Sequence, residues 1–397
     1  MSLKISARLK SIKPSATFAM AAEAAALRAQ GRDIVDLSVG EPDFDTPEHV
    51  KKAAVDALSR GLTKYTPIGG LDVLKDAIVE KLRRDNGLAY GRPEVMASCG
   101  GKHALYTAFQ ALFDPGDEVV LPAPYWVSYP EMLVLAGAVP RVVETTLEQG
   151  FRMSAAQLDA AIGPRTVALI LNSPSNPTGA AYSADDLRAI GEVADRRGLM
   201  VITDDIYERL TAHPVPHVGT LVPRLRPRLV VINSMSKSYA MTGWRIGYTA
   251  APAELIRAMT VLQGQSTTNP TSIAQAAAAV ALTGPQDSVD AMAREFTARR
   301  DLVVTRLREI PGVRTAVPEG AFYVFPDVSA CFGRRGPDGR VASAGELATY
   351  LLRHAGVAVV PGEGFGAPAH VRVSYAAARS VLEDGIGRIG RALAELA

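Results

Sequence analysis

LVVINSMSKSYAMTGWRIGY, residues 229–248, runs a short apolar segment straight into small hydroxyl residues with one lysine, Lys237, among them. A run of that kind reads as a buried strand, so Lys237 stands where the chain leaves a sheet. An ammonium there is costly to desolvate, and lysines in such places pair, lose their proton or react. A nucleotide-binding P-loop is excluded, because VVINSMSKS lacks the glycine-rich lead-in that such a loop needs before Lys-Ser.

Outward from this stretch, residues 95–250 alternate short apolar runs with longer segments of helical pattern. The runs are EVVLP, TVALILN, LMVITDD, RLVVINS and RIGYTA, and SADDLRAIGEVADRRG is typical of what separates them. That rhythm predicts an α/β fold with a mainly parallel sheet covered by helices. Ligands of such sheets bind beyond the carboxyl ends of the strands. Chemistry-bearing residues collect there: Asn172 to Gly179 after VALIL, Asp204 and Tyr207 after LMVIT, Ser234 to Lys237 after LVVIN. Beyond about residue 290 come a long charged helix (AMAREFTARRDLVVTRLREI), short strands (AFYVF, VAVVP, HVRVSY) and a final helix, a separate α+β pattern. Residues 48–290 are expected to form the large unit, and residues 1–47 with 291–397 the small one. CFGRRGPDGRVAS reads as a surface excursion.

The chain has 397 residues, 48% of them hydrophobic, enough for a large core and a second smaller one. Its net charge of +2 and short basic clusters, PRLRPR and GRRGPDGR, give no footprint for nucleic acid, and solvated loops account for them. Two cysteines, Cys99 and Cys331, form neither a disulfide framework nor a zinc spacing, as expected of a cytoplasmic protein. ATFAMAAEAAAL behind a basic N-terminus imitates a signal peptide, but Glu23 interrupts a run already too short, so it reads as a helix. IAQAAAAVAL falls short of the roughly 20 apolar residues that cross a bilayer, and no membrane partner is expected.

Several small constellations sit on this framework. In SCGGKHALYTAF, Gly100 and Gly101 precede a helical pattern, which would turn free N–H groups toward an anion such as phosphate; a plain turn and helix start reads equally well. In TDDIY, Asp204 suits a ring nitrogen and Tyr207 a ring oxygen, although an aspartate there also serves as a helix cap. NSPSNPTG could be only a turn cluster. Trp126 in YWVSY suits a core or a stacking surface for a flat cofactor. Arg372, in the apolar strand HVRVSY, needs a planar acidic partner, either a protein carboxylate or that of a substrate. GEGFGA fits a loose dinucleotide fingerprint but is followed by a strand where a helix should open, and Pro214 and Pro216 break the spacing of His213 and His217, so no metal site is expected.

A phosphate cradle, an acid for a ring nitrogen, a phenol, a flat stacking residue and a reactive lysine together describe a pyridoxal phosphate pocket. Over nearly its whole length the chain resembles the class I aminotransferases of fold type I. GEPDFDTPEHV, KYTPIGG, PYWVSYPEM, NSPSNPTGA, DDIYE, SKSYAMTGWRIGY and HVRVSYA are similar to the bacterial aspartate aminotransferase subgroup, which includes prephenate aminotransferases. The resemblance implies a three-layer, mainly parallel large domain with a smaller α+β domain, and pyridoxal 5'-phosphate as cofactor. It implies that Lys237 bonds the cofactor and later moves the α-carbon proton, that Asp204 holds the ring nitrogen's proton, and that Tyr207 and Asn176 contact the ring oxygen. Ser234, Arg245 and the Gly100-Gly101-Lys102 backbone would bind phosphate, Trp126 would stack on the ring and contact substrate, and Tyr65 would reach the phosphate of a neighbouring subunit in a homodimer. Arg372 would read the substrate α-carboxylate, assisted by the Gly40 backbone and Asn176. Lys102, aided by Lys13, would read the distal carboxylate, since QGQSTTNP offers no arginine for it.

The function so implied is transfer of the amino group of L-aspartate to 2-oxoglutarate, with prephenate as a further acceptor. An aromatic or broad-specificity aminotransferase is the alternative, and behind it a carbon–sulfur lyase that would release pyruvate and ammonia. A cofactor-sensing regulator would carry an added DNA-binding region, and only about forty residues precede GEPDFDTP.

Overall fold

The computed structural model describes residues 3–14 and 16–397; residues 1, 2 and 15, which fall in the expected small unit, lie outside the described residues. Seven strands form the central sheet: β1 (Val95–Ser98), β2 (Glu118–Ala123), β3 (Val139–Glu144), β4 (Thr166–Asn172), β5 (Met200–Asp204), β6 (Leu229–Ser234) and β7 (Gly247–Ala250). Their spatial order is β1-β7-β6-β5-β4-β2-β3. Only β7 runs antiparallel to its neighbours, so the sheet is mainly parallel as the apolar runs predict. The sequence pattern did not single out β1 and β3.

The central strands are Val-, Ile- and Leu-rich because both faces are covered, which removes the polar alternation of a one-sided sheet. One apolar cluster joins Val120, Leu169, Leu171, Val201 and Val231 to helices Glu48–Ser59, Asp72–Asn86 and Ser272–Thr283. The alanine-rich run thus becomes a packed helix. On the other face, Val119, Ile170, Ile202 and Ile232 meet helices Gly101–Leu112 and Ala253–Gly264. Helix Ala184–Arg197 is opened by a reciprocal capping pair, Ser183 and Asp186, and ended by Gly198.

A third cluster gathers Met20 to Leu37 with residues from Met292 to Leu396, and also takes in Tyr207 and Leu210. Here helix Asp287–Arg308 lies beside helix Arg379–Ala394, and Tyr323–Val324, Val371–Ser374 and Val360–Pro361 form a small antiparallel sheet. Val35–Asp36 pairs in parallel with Val357–Ala358, tying the N-terminal segment to this part. The polar excursion contains a short antiparallel pairing of Arg335–Gly336 with Gly339–Arg340. No described helix is long and apolar enough to cross a membrane.

Candidate active site

Parallel pairing brings the strand ends into register. Asn172 of β4 lies opposite Asp204 of β5, and β6 beside them ends at Ser234. A cavity of about 420 Å³ opens over these ends. Of the residues expected at the site, Gly40, Gly101, Lys102, Trp126, Asn176, Asp204, Tyr207, Lys237, Arg245 and Arg372 line it. Gly100, Ser234, Tyr65 and Lys13 do not.

Gly100 and Ser234 lie just behind the wall. Gly100 precedes helix Gly101–Leu112 at φ 86°, and a Cβ there would stand 2.4 Å from Arg245 Nη2. Only glycine lets the guanidinium lie against this backbone. The first-turn N–H groups of Gly101 and Lys102 have no intrahelical acceptors, so cation and helix end converge on one spot. Arg245 itself takes a left-handed conformation after the turn Thr242–Trp244, and Nη1 donates to the Thr242 carbonyl at 2.7 Å. No acid among the described residues pairs with it. Ser234 is buried, with its Oγ accepting from the Ser236 N–H and lying 2.9 Å from the Ile246 carbonyl; Ser236 lines the cavity instead.

Asp204 is 5% exposed. Tyr129 donates its phenol to Oδ2 at 2.6 Å, and the Ile206 N–H reaches Oδ1 at 3.4 Å. Burial pushes its pKa up to about 6 against the Tyr129 hydrogen bond, with neighbouring Asp205 adding to the rise. Asn172 donates to the Asp204 carbonyl at 2.8 Å and accepts from the Asn176 N–H at 2.9 Å, locking the NSPSN turn onto β5.

Lys237 is half-buried and lines the cavity, and Nζ donates to the Gly40 carbonyl. Enclosure lowers its pKa to about 8, with Arg372 and Arg245 lowering it further and Glu41 opposing. Tyr207 lies with its hydroxyl 3.0 Å from that of Tyr323.

Arg372, 2% exposed, donates to Asn176 Oδ1 at 2.9 Å and to the Ser38 carbonyl at 2.7 Å. Its guanidinium lies 4.4 Å from the Tyr323 ring centre, and Nε is buried without a partner. No carboxylate among the described residues pairs with it. The described residues therefore do not supply the planar acid that this arginine calls for.

Among the cavity residues, Lys102, Lys237, Arg245 and Arg372 are basic, whereas only Glu41 and Asp204 are acidic. The site is built to receive anions. Tyr65 is 88% exposed, and Lys13 is an exposed residue whose backbone N–H bonds Glu131; this chain brings neither to its own cavity. Reading by motif missed Tyr129, Tyr323, Phe18, Glu41 and Thr242, and gave Asn172 and Ser236 a place at the strand ends but no role; all of them line the cavity. Tyr129 lies inside YWVSY and Ser236 inside SMSKS, so position after a strand end was the available signal; Phe18 had none. His217 caps the turn Val218–Leu221 and bonds Asp205, and no group of metal-ligating residues exists among the described residues.

A buried acid across from an enclosed lysine, beside a glycine-and-arginine anion cradle and an uncompensated arginine, fits pyridoxal 5'-phosphate with a carboxylate substrate. Residues 32–389 match the family model for aminotransferase class I and II. The chain is 48% identical to the aspartate aminotransferase of Geobacillus stearothermophilus over 98% of each sequence. It is 48% identical to the aspartate/prephenate aminotransferase of Cereibacter sphaeroides over 97% of each. The crystal structure of the Rhizobium meliloti aspartate aminotransferase superposes over the full length of both chains with a TM-score of 0.96 at 45% identity.

Proposed function

The chain belongs to the class I and II aminotransferases, and from that membership we propose that it transfers the amino group of L-aspartate to 2-oxoglutarate, giving oxaloacetate and L-glutamate. Prephenate is a second acceptor, as the relatives described as aspartate/prephenate aminotransferases support. The carrying observation is that Arg372, buried and paired with no carboxylate among the described residues, opens on the same cavity as Lys237.

Pyridoxal 5'-phosphate, when bound, supplies a protonated ring that accepts the electrons freed as the α-carbon loses its proton. The Gly101 and Lys102 N–H groups and Arg245 would hold its phosphate, with Gly100 and Ser234 shaping that cradle. Asp204 would face the ring nitrogen as a carboxylate, Tyr207 and Asn176 the ring oxygen, and Trp126 one face. Arg372 takes the substrate α-carboxylate in a paired grip and, with Asn176 and the Gly40 backbone, fixes the α-carbon near Lys237. Lys237 Nζ, neutral in an appreciable fraction near pH 8, would take the proton from the α-carbon and give it up on the cofactor side of the amino nitrogen, two bonds away. Lys102 receives the distal carboxylate, with Lys13 supporting it.

The apolar clusters support a large domain of residues 48–290 and a small one of 1–47 with 291–397, since Val289 belongs to the first cluster and Met292 to the third. Exposed Tyr65 supports a homodimer in which it reaches the neighbouring subunit's phosphate, and the protein is taken as cytoplasmic. The test is the visible absorption of protein loaded with pyridoxal 5'-phosphate. A yellow band bleached by L-aspartate and restored by 2-oxoglutarate or prephenate is expected. Pyruvate and ammonia from a cysteine-type substrate, without restoration, would replace transamination with elimination.

A further inference from the structure

We infer that Phe18 is a specificity-determining residue that lets this site accept 2-oxo acids whose side chain carries an unsaturated six-membered ring. The inference rests on the transaminase reading above and assigns the ring-binding surface within it.

Helix Ala16–Ala29 is alanine-rich, and its one aromatic residue, Phe18, is 71% exposed. An apolar ring left in water on a helix that buries Met20 and Ala24 has no packing role there. It stands instead on the cavity wall with Thr17 and Ala21. Lys102 lies between it and Trp126: Nζ is 4.8 Å from the Trp126 ring centre and 5.9 Å from that of Phe18. No acid among the described residues pairs with Lys102, so ring faces are its protein neighbours and its charge stays available.

This arrangement recognises two features at once. A side-chain carboxylate would pair with Lys102, and a ring would cover the exposed face of Phe18 opposite Trp126. Covering that face removes apolar surface from water when the substrate brings an apolar group, and a flat ring of matching shape covers the most of it. 2-Oxoglutarate reaches Lys102 but leaves Phe18 wet; 3-phenylpyruvate covers Phe18 but leaves Lys102 unpaired; prephenate, with a ring and a second carboxylate, meets both.

The experiment compares wild type with Phe18→Ala and Phe18→Tyr as loaded enzymes. kcat/KM is measured for 2-oxoglutarate, 3-phenylpyruvate and prephenate, and the dissociation constants of succinate and 3-phenylpropionate by calorimetry. Phe18→Ala is expected to lower kcat/KM for both ring acceptors about 10-fold relative to 2-oxoglutarate, and to weaken 3-phenylpropionate relative to succinate by a similar factor. Phe18→Tyr restores most of both ratios. An equal loss for all three acceptors, with both ligands weakened alike, would overturn the assignment and leave Phe18 as a helix-seating residue. A wild-type enzyme active with 2-oxoglutarate but not with either ring acceptor would overturn it too, while leaving the transaminase reading intact. Absence of turnover with every acceptor is instead the failure of that reading.

Discussion

At the residue scale, the site is a set of costs that the protein accepts. Lys237 has its pKa held at about 8 from 10.5, chiefly by desolvation. For a base whose folded pKa is depressed, the cost is complete below the folded value and disappears as pH rises past the unfolded one. Lys237→Met is therefore expected to stabilise the cofactor-free protein at pH 7 by about 3 kcal/mol, at ~1.4 kcal/mol per unit, with the gain fading between about pH 8 and 10.5 and gone above that. Urea unfolding at both pH values tests this, and equal stability at pH 7 would show that the ammonium is not desolvated. Tyr129 carries a second prediction. Its phenol lowers the pKa of Asp204 against burial, so Tyr129→Phe lets that acid rise beyond about 6. Losing a charge-assisted hydrogen bond should weaken cofactor retention about 10-fold. The loss should be greater at pH 6 than at pH 8, where the carboxylate is still ionised; a penalty independent of pH would remove Tyr129 from this role.

At the scale of elements, glycine placement decides whether strand and helix ends meet. Gly247 begins β7 between Ser98 and Ser234, and a Cβ there would stand 2.5 Å from the Gly100 carbonyl carbon and the Gly101 nitrogen. Bare backbone on both sides lets the Gly100-Gly101 turn settle over the sheet. Gly100→Ala is expected to raise the dissociation constant for pyridoxal 5'-phosphate at least ~10-fold, since the methyl group meets Arg245 and φ is positive. Fluorescence titration reads the affinity and far-ultraviolet dichroism the helix content, which should be unchanged. Normal affinity would show that Arg245 yields without loss. The strand–helix alternation behind this geometry was legible because period and length are local properties. β3, with a mostly exposed burial pattern, and the short β1 carry weak versions of that signal and were not singled out.

At the scale of the whole molecule, the NPTG turn touches the segment that delivers Tyr323. A Cβ on Gly179 (φ 67°) would meet Pro318 at 2.5 Å and the Gly320 carbonyl at 2.6 Å. Gly179→Ala should cost roughly 2–4 kcal/mol of stability, from strain and overpacking, and should raise KM for aspartate by shifting Asn176 from Arg372. The urea midpoint and steady-state kinetics check it; an unshifted midpoint would mean that the two parts separate freely. The sequence by itself determined the mainly parallel sheet, the placing of Lys237, Asp204 and Asn176 at or beside strand ends and that of Arg372 within an apolar strand, because apolar periodicity and strand-end position are written in consecutive residues. Only the tertiary structure decided that Tyr129 holds Asp204 from 75 residues away, that Tyr323 meets Tyr207, that the Ser234 hydroxyl turns inward, and that Phe18 stands over Lys102. Such contacts join distant parts of the chain through packing, and packing leaves no periodic trace in the residues that make it.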